Sequence, residues 1–251
     1  MTSIEGRFIP FRKYSGSDNM SLDQTLQEVV DRSQQPTLRF YGWQEPTLSL
    51  GYFQSNSERG THQASQSSAC VRRATGGGAI LHHRELTYSI IMPQAIGRIG
   101  PSTELYREIH ASLITALLPL GVVLSPFHRS DQSCLGNHCD AFLCFQRRTS
   151  EDLILNGYKV VGSAQRKSKA SILQHGSLLL NASQYAPELP GINDLLNYSL
   201  QLDDVVEAVL RSLSGCMGLR FREKDFTSEE VERARSIGEA RFNRQSWLLR
   251  R

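Results

Sequence analysis

The sequence predicts an α+β fold in which mixed, largely antiparallel sheets are flanked by helices. Segments of helical and of strand periodicity are interspersed without a strict βαβ rhythm. Leu153-Ile154-Leu155, Asn156-Gly157 and Tyr158-Lys159-Val160-Val161 spell a hairpin, because Asn-Gly suits both φ > 0 positions of a type I′ turn. A hairpin is antiparallel by construction. The sequence shows no internal repeat and no linker long enough to mark a boundary, so residues 1–251 are expected to form one domain.

Taken in order, Ser17 is the expected cap of a first helix running to about Ser33, with Leu22, Leu26, Val29 and Val30 on one face and Pro36 behind it. Thr37 to Trp43 and Thr47 to Phe53 read as strands broken at Gln44-Glu45-Pro46. Gln54 to Ser68, rich in Ser, Gln and Asn, reads as a surface loop. A strand follows from about Ala79 to Met92, then a break at 97–101. Ser102 is placed to cap a helix to about Leu120, buried through Leu105, Ile109, Leu113, Leu117 and Leu118 and ended by Gly121. Ser125 to Phe145 has no clear period. Ile172 to Leu180 is a further strand. Val205, Val206, Val209, Leu210 and Leu213 mark a helix with Gly215 as its stop, and Thr227 with Glu230 matches a capping box for a last one.

Composition narrows the classes. Hydrophobic residues are 39% and charged residues 21% of the chain, which suits a globular core. No apolar run approaches the ~20 residues that span a bilayer, so no membrane association is expected. The N-terminal MTSIEGRFIPFRKY lacks a signal peptide's apolar stretch. Five cysteines, an odd number, do not make a disulfide framework, and a reducing cytoplasm fits best. A net charge of +3 favours an acidic partner but is too small to indicate nucleic acid. Arg241, Arg244, Arg250 and Arg251 read as a solvated terminus.

Two places could hold chemistry. In Arg72-Arg73-Ala74-Thr75-Gly76-Gly77-Gly78, three glycines let backbone come close to a ligand and offer N–H groups to an oxygen, with arginine charge alongside. A plain turn with a solvated edge is the alternative. The second place pairs Cys144 with Lys159, which follows the Asn-Gly turn by two residues. A cysteine is nucleophilic as thiolate, and a nearby ammonium favours that form. Otherwise Cys144 is a small buried apolar residue. Cys134, His138, Cys139 and Cys144 do not match the usual C-x2-C pairs of structural zinc, so no metal site is expected. Gly162-Ser163-Ala164-Gln165-Arg166 is read as a second polar turn, and His175 as a histidine within an apolar strand.

Four segments resemble the lipoate–protein ligase A and octanoyltransferase superfamily, whose catalytic fold is shared with biotin–protein ligases. They are Asn19-Met20-Ser21-Leu22-Asp23; Arg72 to Gly78 running through His82 to Glu85-Leu86-Thr87-Tyr88-Ser89; Lys159-Val160-Val161-Gly162-Ser163-Ala164-Gln165; and Leu173-Gln174-His175-Gly176-Ser177-Leu178. Cys144-Phe145, fifteen residues before Lys159, resembles the branch that moves octanoyl groups from acyl carrier protein. Gly78, where those transferases often carry Arg, is as in the ligases.

The resemblance implies that Cys144 accepts the acyl group and Lys159 activates it, with Arg72, Arg73, Gly76, Gly77, Gly78, His82, Gly162, Ser163, Gln165 and His175 around the substrate. It implies octanoyl-acyl carrier protein as donor, a lysine on a lipoyl domain or glycine-cleavage H protein as acceptor, and no cofactor. An ATP-dependent ligase activating free lipoate, with ATP and Mg, is the first alternative. A non-catalytic carrier-protein-binding module is the second.

Overall fold

The structure, a computed structural model, describes residues 4–94, 102–129 and 141–251. The break expected at 97–101, and Cys134, His138 and Cys139, lie outside the described residues. The strands are β1 Ile4–Tyr14, β2 Thr37–Trp43, β3 Thr47–Leu50, β4 Ala69–Arg72, β5 Ile80–His82, β6 Glu85–Pro93, β7 Ser125–Pro126, β8 Leu153–Leu155, β9 Tyr158–Lys167, β10 Ser171–Leu179 and β11 Leu219–Glu223. The larger sheet runs β11-β1-β2-β6-β10-β9-β8-β7 and the smaller β4-β3-β5. β1 pairs in parallel with β2 and β11, and β3 with β4; the other pairs are antiparallel. The fold is mixed α+β, as the periodicity predicts.

The helices are α1 Gly16–Ser33, α2 Ser102–Leu117, α3 Ile192–Leu195, α4 Leu202–Met217, α5 Ser228–Ile237 and α6 Gln245–Leu248. Alternation along β6 assigns the faces of the large sheet. Leu86, Tyr88, Ile90 and Met92 join Leu105, Ile109 and Leu113 of α2 and Val205, Val209 and Leu213 of α4 in one cluster. Ile91 instead packs with Leu26 and Val30 of α1 and with Leu173 of β10. β6 is buried along its whole length. On the α1 side Glu85, Thr87 and Ser89 are polar, and the site is built there.

Several expectations need correction. Ser15, not Ser17, caps α1: its hydroxyl accepts from the Asp18 N–H. β3 ends at Leu50, and the loop after it contains two 3-10 turns, Asn56–Thr61 and Gln63–Ser65. The strand expected from Ala79 to Met92 is two strands in different sheets, β5 and β6. α4 runs past Gly215 to Gly218, whose φ of 62° makes the left-handed stop. The segment Gly162 to Arg166 is no turn. It is the middle of β9, paired residue for residue with β10, and its small polar side chains reflect the cavity it borders. β1 and β11 have no counterpart in the sequence reading. The terminal arginines fold back: Arg250 stacks 4.1 Å over Tyr52 and 4.7 Å over Trp247.

Candidate active site

Cys144 opens a short 3-10 turn and is half-buried. Its N–H donates to the Ala79 carbonyl at 2.7 Å, and the Ala79 N–H donates to the Phe142 carbonyl at 3.2 Å. These bonds stitch the exit of the glycine loop to the cysteine segment. Gly77 has φ +94, and a Cβ on it would stand 3.9 Å from Cys144 Sγ. Only glycine takes that backbone conformation without strain, and its bare Cα leaves the sulfur uncovered.

Lys159 follows a turn with φ 48 at Asn156 and φ 84 at Gly157, the left-handed pair that Asn-Gly predicts. Its Nζ lies 3.8 Å from Cys144 Sγ and donates to the Cys144 carbonyl at 3.2 Å. A buried ammonium without a counter-ion costs several kcal/mol. Asp152 supplies the counter-ion at 2.8 Å, and neither side chain is more than 3% exposed. Asp152 also accepts the Thr149 N–H at 2.7 Å. Gly162 belongs to this assembly, because a Cβ there would lie 2.6 Å from Lys159 Cε.

The two arginines behave differently. Arg73 donates to the carbonyls of Ser49, Gly76 and Gly78 at 2.7, 2.9 and 2.7 Å, and so shapes the glycine loop from within. Burial pushes its pKa down to about 10, with Cys144 acting in the opposite direction. Arg72 donates to the carbonyls of Gly51, Gln54 and Leu248, tying the C-terminal segment to the small sheet. Gly78 accommodates the Arg147 guanidinium, whose Cζ would be 3.3 Å from an added Cβ. The position that carries Arg in many transferases is thus covered by an arginine from elsewhere.

Two histidines border the site. His82 Nδ1 bonds Glu85 Oε1 at 2.6 Å, its Nε2 bonds Ser49 Oγ at 2.7 Å, and its ring stacks on Trp43 at 3.9 Å. Burial lowers its pKa while Glu85 opposes. His175 Nδ1 lies 3.4 Å from Asp23 Oδ2, and its Nε2 is 2.7 Å from Thr75 Oγ1. Asp23 also accepts from Arg39, Tyr41 and Ser89. Burial alone would raise its carboxyl pKa, but the His175 hydrogen bond and the Arg39 charge outweigh it and hold it below the usual range.

Behind β9, the Ser163 hydroxyl meets His110 Nε2 at 2.7 Å and Tyr88 OH at 2.6 Å, and His110 Nδ1 donates to the Glu151 carbonyl at 2.7 Å. Burial lowers the His110 pKa to about 4, so the ring is neutral near pH 7.

These groups surround one narrow cavity. Met20, Tyr41, Trp43, Ile80 and Phe145 give it apolar walls, and Arg73, Gly76, Gly77, His82, Cys144, Gly162, Ser163 and His175 its polar end. Of the residues singled out from sequence, Arg72, Gly78, Lys159 and Gln165 are not part of that lining; Lys159 reaches the cavity's cysteine from behind it, and Gln165 donates to Gln174 at 2.8 Å. Among the described residues, no group of three or more His, Cys, Asp or Glu side chains is arranged for a metal. Asp152, Trp43 and His110 carry no local motif in the sequence; Asp23 and Thr75 lie within quoted segments, at the end of Asn19 to Asp23 and just before the glycine triplet, but neither is assigned a role there.

The architecture is that of the lipoate ligase fold. A lipoate-protein ligase A bound with ATP superposes with a TM-score of 0.79 at 21% identity, covering 98% of this chain and 99% of that one. A bipartite lipoate protein ligase of Thermoplasma acidophilum gives 0.76 at 20%, covering 98% and 96%. The chain belongs to the lipoyl protein ligase A/B catalytic domain family, whose model matches residues 15–214. It is similar over nearly its whole length to two proteins named octanoyltransferase LipM. One is from Kyrpidia tusciae, at 31% identity over 98% of both chains, and the other from Anoxybacillus flavithermus, at 30% over 98% of both.

Proposed function

We propose that this chain is an octanoyltransferase of protein lipoylation that carries its acyl group on Cys144. The observation that supports the covalent step is the Lys159 ammonium, ion-paired to Asp152 and 3.8 Å from Cys144 Sγ. The Cys144 thiolate attacks the thioester carbonyl of octanoyl-acyl carrier protein, the carrier's C–S bond breaks, and Cys144 becomes S-octanoylated. The ε-amine of a lysine on a lipoyl domain or glycine-cleavage H protein then takes the acyl group as an amide. An amide is more stable than a thioester, so the transfer runs downhill without ATP or another cofactor. In this mechanism, backbone N–H groups of Gly76 to Gly78 receive the oxyanion. The apolar walls take the eight-carbon chain at ~0.8 kcal/mol per buried CH₂. The partners are proteins, with no role for nucleic acid or membrane.

Among the described residues, no helix is long and apolar enough to cross a membrane. A cytoplasmic setting keeps the thiol reduced. The ATP-dependent alternative would use Arg72, the glycines and Lys159 for phosphate and carboxylate; against it, backbone carbonyls hold Arg72 and Asp152 holds Lys159. Mass spectrometry after incubation with octanoyl-acyl carrier protein tests the proposal. The expected result is one octanoyl group on Cys144, absent in Cys144→Ser. Pyrophosphate release with ATP and free lipoate, with no adduct, overturns it.

A further inference from the structure

The second half-reaction poses a proton problem. A lysine side chain with an ordinary pKa of ~10.4 is almost entirely ammonium near pH 7, and an ammonium has no lone pair to attack with. Some group in the cavity must take that proton. Lys159 donates to Asp152, and Arg73 donates to three carbonyls; a protonated amine and a guanidinium have no acceptor to offer. His82 is poorly placed. A proton added to it would face the Arg73 guanidinium, which already donates to its partner Ser49 Oγ at 3.1 Å. Its ring is also covered by Trp43.

His175 differs. Asp23 is a carboxylate held by Arg39, Tyr41 and Ser89, so it only accepts, and the proton between it and His175 sits on Nδ1. That fixes the tautomer with a lone pair on Nε2, where the Thr75 hydroxyl donates at 2.7 Å. The ring borders the cavity that Cys144 borders, and its side chain is 10% exposed against 5% for His82. An arriving proton on Nε2 reverses the Thr75 hydrogen bond, since the hydroxyl oxygen can accept as well as donate. The resulting imidazolium is offset by the Asp23 carboxylate. The order hydroxyl, imidazole, buried carboxylate is a proton-accepting arrangement that recurs on unrelated folds.

We infer that His175, oriented by Asp23 and Thr75, is the base that takes the proton from the incoming lysine when the acyl group leaves Cys144. This rests on Cys144 being the acyl carrier. The ammonium gives one proton to the Thr75 oxygen as the Thr75 hydroxyl proton passes to His175 Nε2, and the neutral amine forms the C–N bond. The C–S bond to Cys144 breaks, and the amine's second proton passes to the departing sulfur. The products are the amide, the free thiol and the His175 imidazolium, which then releases its proton to solvent.

The test uses preformed S-octanoyl enzyme, discharged in parallel by a lipoyl domain and by hydroxylamine, which is neutral at pH 7 and needs no base. The ratio of the two rates cancels general damage to the site. In His175→Gln the ratio should fall on the order of 10²-fold, the usual contribution of a positioned base. Thr75→Val exchanges one hydroxyl for a methyl and leaves the packing volume alone; it should lower the same ratio too, because the ring loses its guide and the proton its relay. A ratio unchanged in a folded His175→Gln enzyme, or in Thr75→Val where the first variant does not fold, overturns the inference. Failure of the parent to form the S-octanoyl adduct overturns the acyl-carrier reading instead.

Discussion

Two buried cations stand near the same cysteine and are satisfied in opposite ways. Lys159 is neutralised by a carboxylate, Asp152, and keeps its ammonium 3.8 Å from the sulfur. Among the described residues, Arg73 has no carboxylate hydrogen-bond partner. Its fork is taken up by the Ser49 carbonyl of β3 and by carbonyls of the loop that faces the sulfur, and among the described residues its Nε has no hydrogen-bond acceptor. A compact ammonium acts as a point charge, whereas a planar guanidinium fixes several oxygens at once. In the proposed mechanism the lysine wall therefore provides charge for the chemistry, and the arginine wall provides shape. Buried charge alone does not identify a catalytic group; what the charge is aimed at does.

The largest effect should come from breaking the lysine wall. Lys159→Met removes the ammonium beside Cys144 and strands Asp152, so S-octanoylation should slow on the order of 10³-fold, as for loss of a charge-stabilising group. Stability should drop about 3–5 kcal/mol, the typical cost of breaking a buried pair. Adding Asp152→Asn should restore much of the stability and none of the rate. Thermal unfolding and single-turnover acylation separate the two. Recovery of the rate in the double variant would show that the lysine only balances Asp152.

Arg73→Lys tests the other wall. The charge remains, but one ammonium cannot hold the carbonyls of Ser49, Gly76 and Gly78 together. A loss of about 2–3 kcal/mol is expected from unsatisfied buried acceptors, with acylation reduced roughly tenfold, less than for Lys159→Met. Equal rate losses in the two variants would erase the distinction between charge and shape.

The walls also differ in how far the sequence reveals them. The Asn156-Gly157 turn, and with it the place of Lys159, is local chemistry and can be read directly. Cys144 is singled out by the Cys144-Phe145 dipeptide, read beside the four segments that carry the resemblance. Asp152 cannot be read, because nothing in Thr149 to Leu153 says that its carboxylate meets a lysine on the next strand. Asp23 and His175 are 152 residues apart. β1 and β11 went unread for the same reason: Ile4 pairs with Leu219, and neither strand has a near neighbour that would betray it. Gly162 to Arg166 misled in another way. Its small polar residues follow turn composition, yet they are small because Lys159 and Ser163 must fit between strands and helix. Gly162→Ala probes that constraint. A Cβ 2.6 Å from Lys159 Cε forces the ammonium aside, at about 1–3 kcal/mol for overpacking, and acylation should fall while the arginine wall is untouched.

Acid should separate the walls most gently. The acceptors around Arg73 are carbonyls and hydroxyls, which do not titrate. The lysine wall leans on His110, whose ring holds the Glu151 carbonyl next to Asp152 and the Ser163 hydroxyl. Its folded pKa of about 4 is below the ordinary 6.5, so the unfolded chain binds the proton first. The stability it contributes is therefore complete above pH 6.5 and lost as pH falls toward 4. At 1.36 kcal/mol per unit, this group should account for about 2 kcal/mol of lost stability between pH 7 and pH 5. Urea midpoints of the parent and of His110→Asn at both pH values isolate the contribution, since the carboxylates common to both proteins cancel in the difference. The variant should be less stable at pH 7 and lose about 2 kcal/mol less on going to pH 5. Parallel losses in the two proteins would mean that His110 can take its proton without leaving Ser163 and Glu151, and that acid weakens the lysine wall elsewhere.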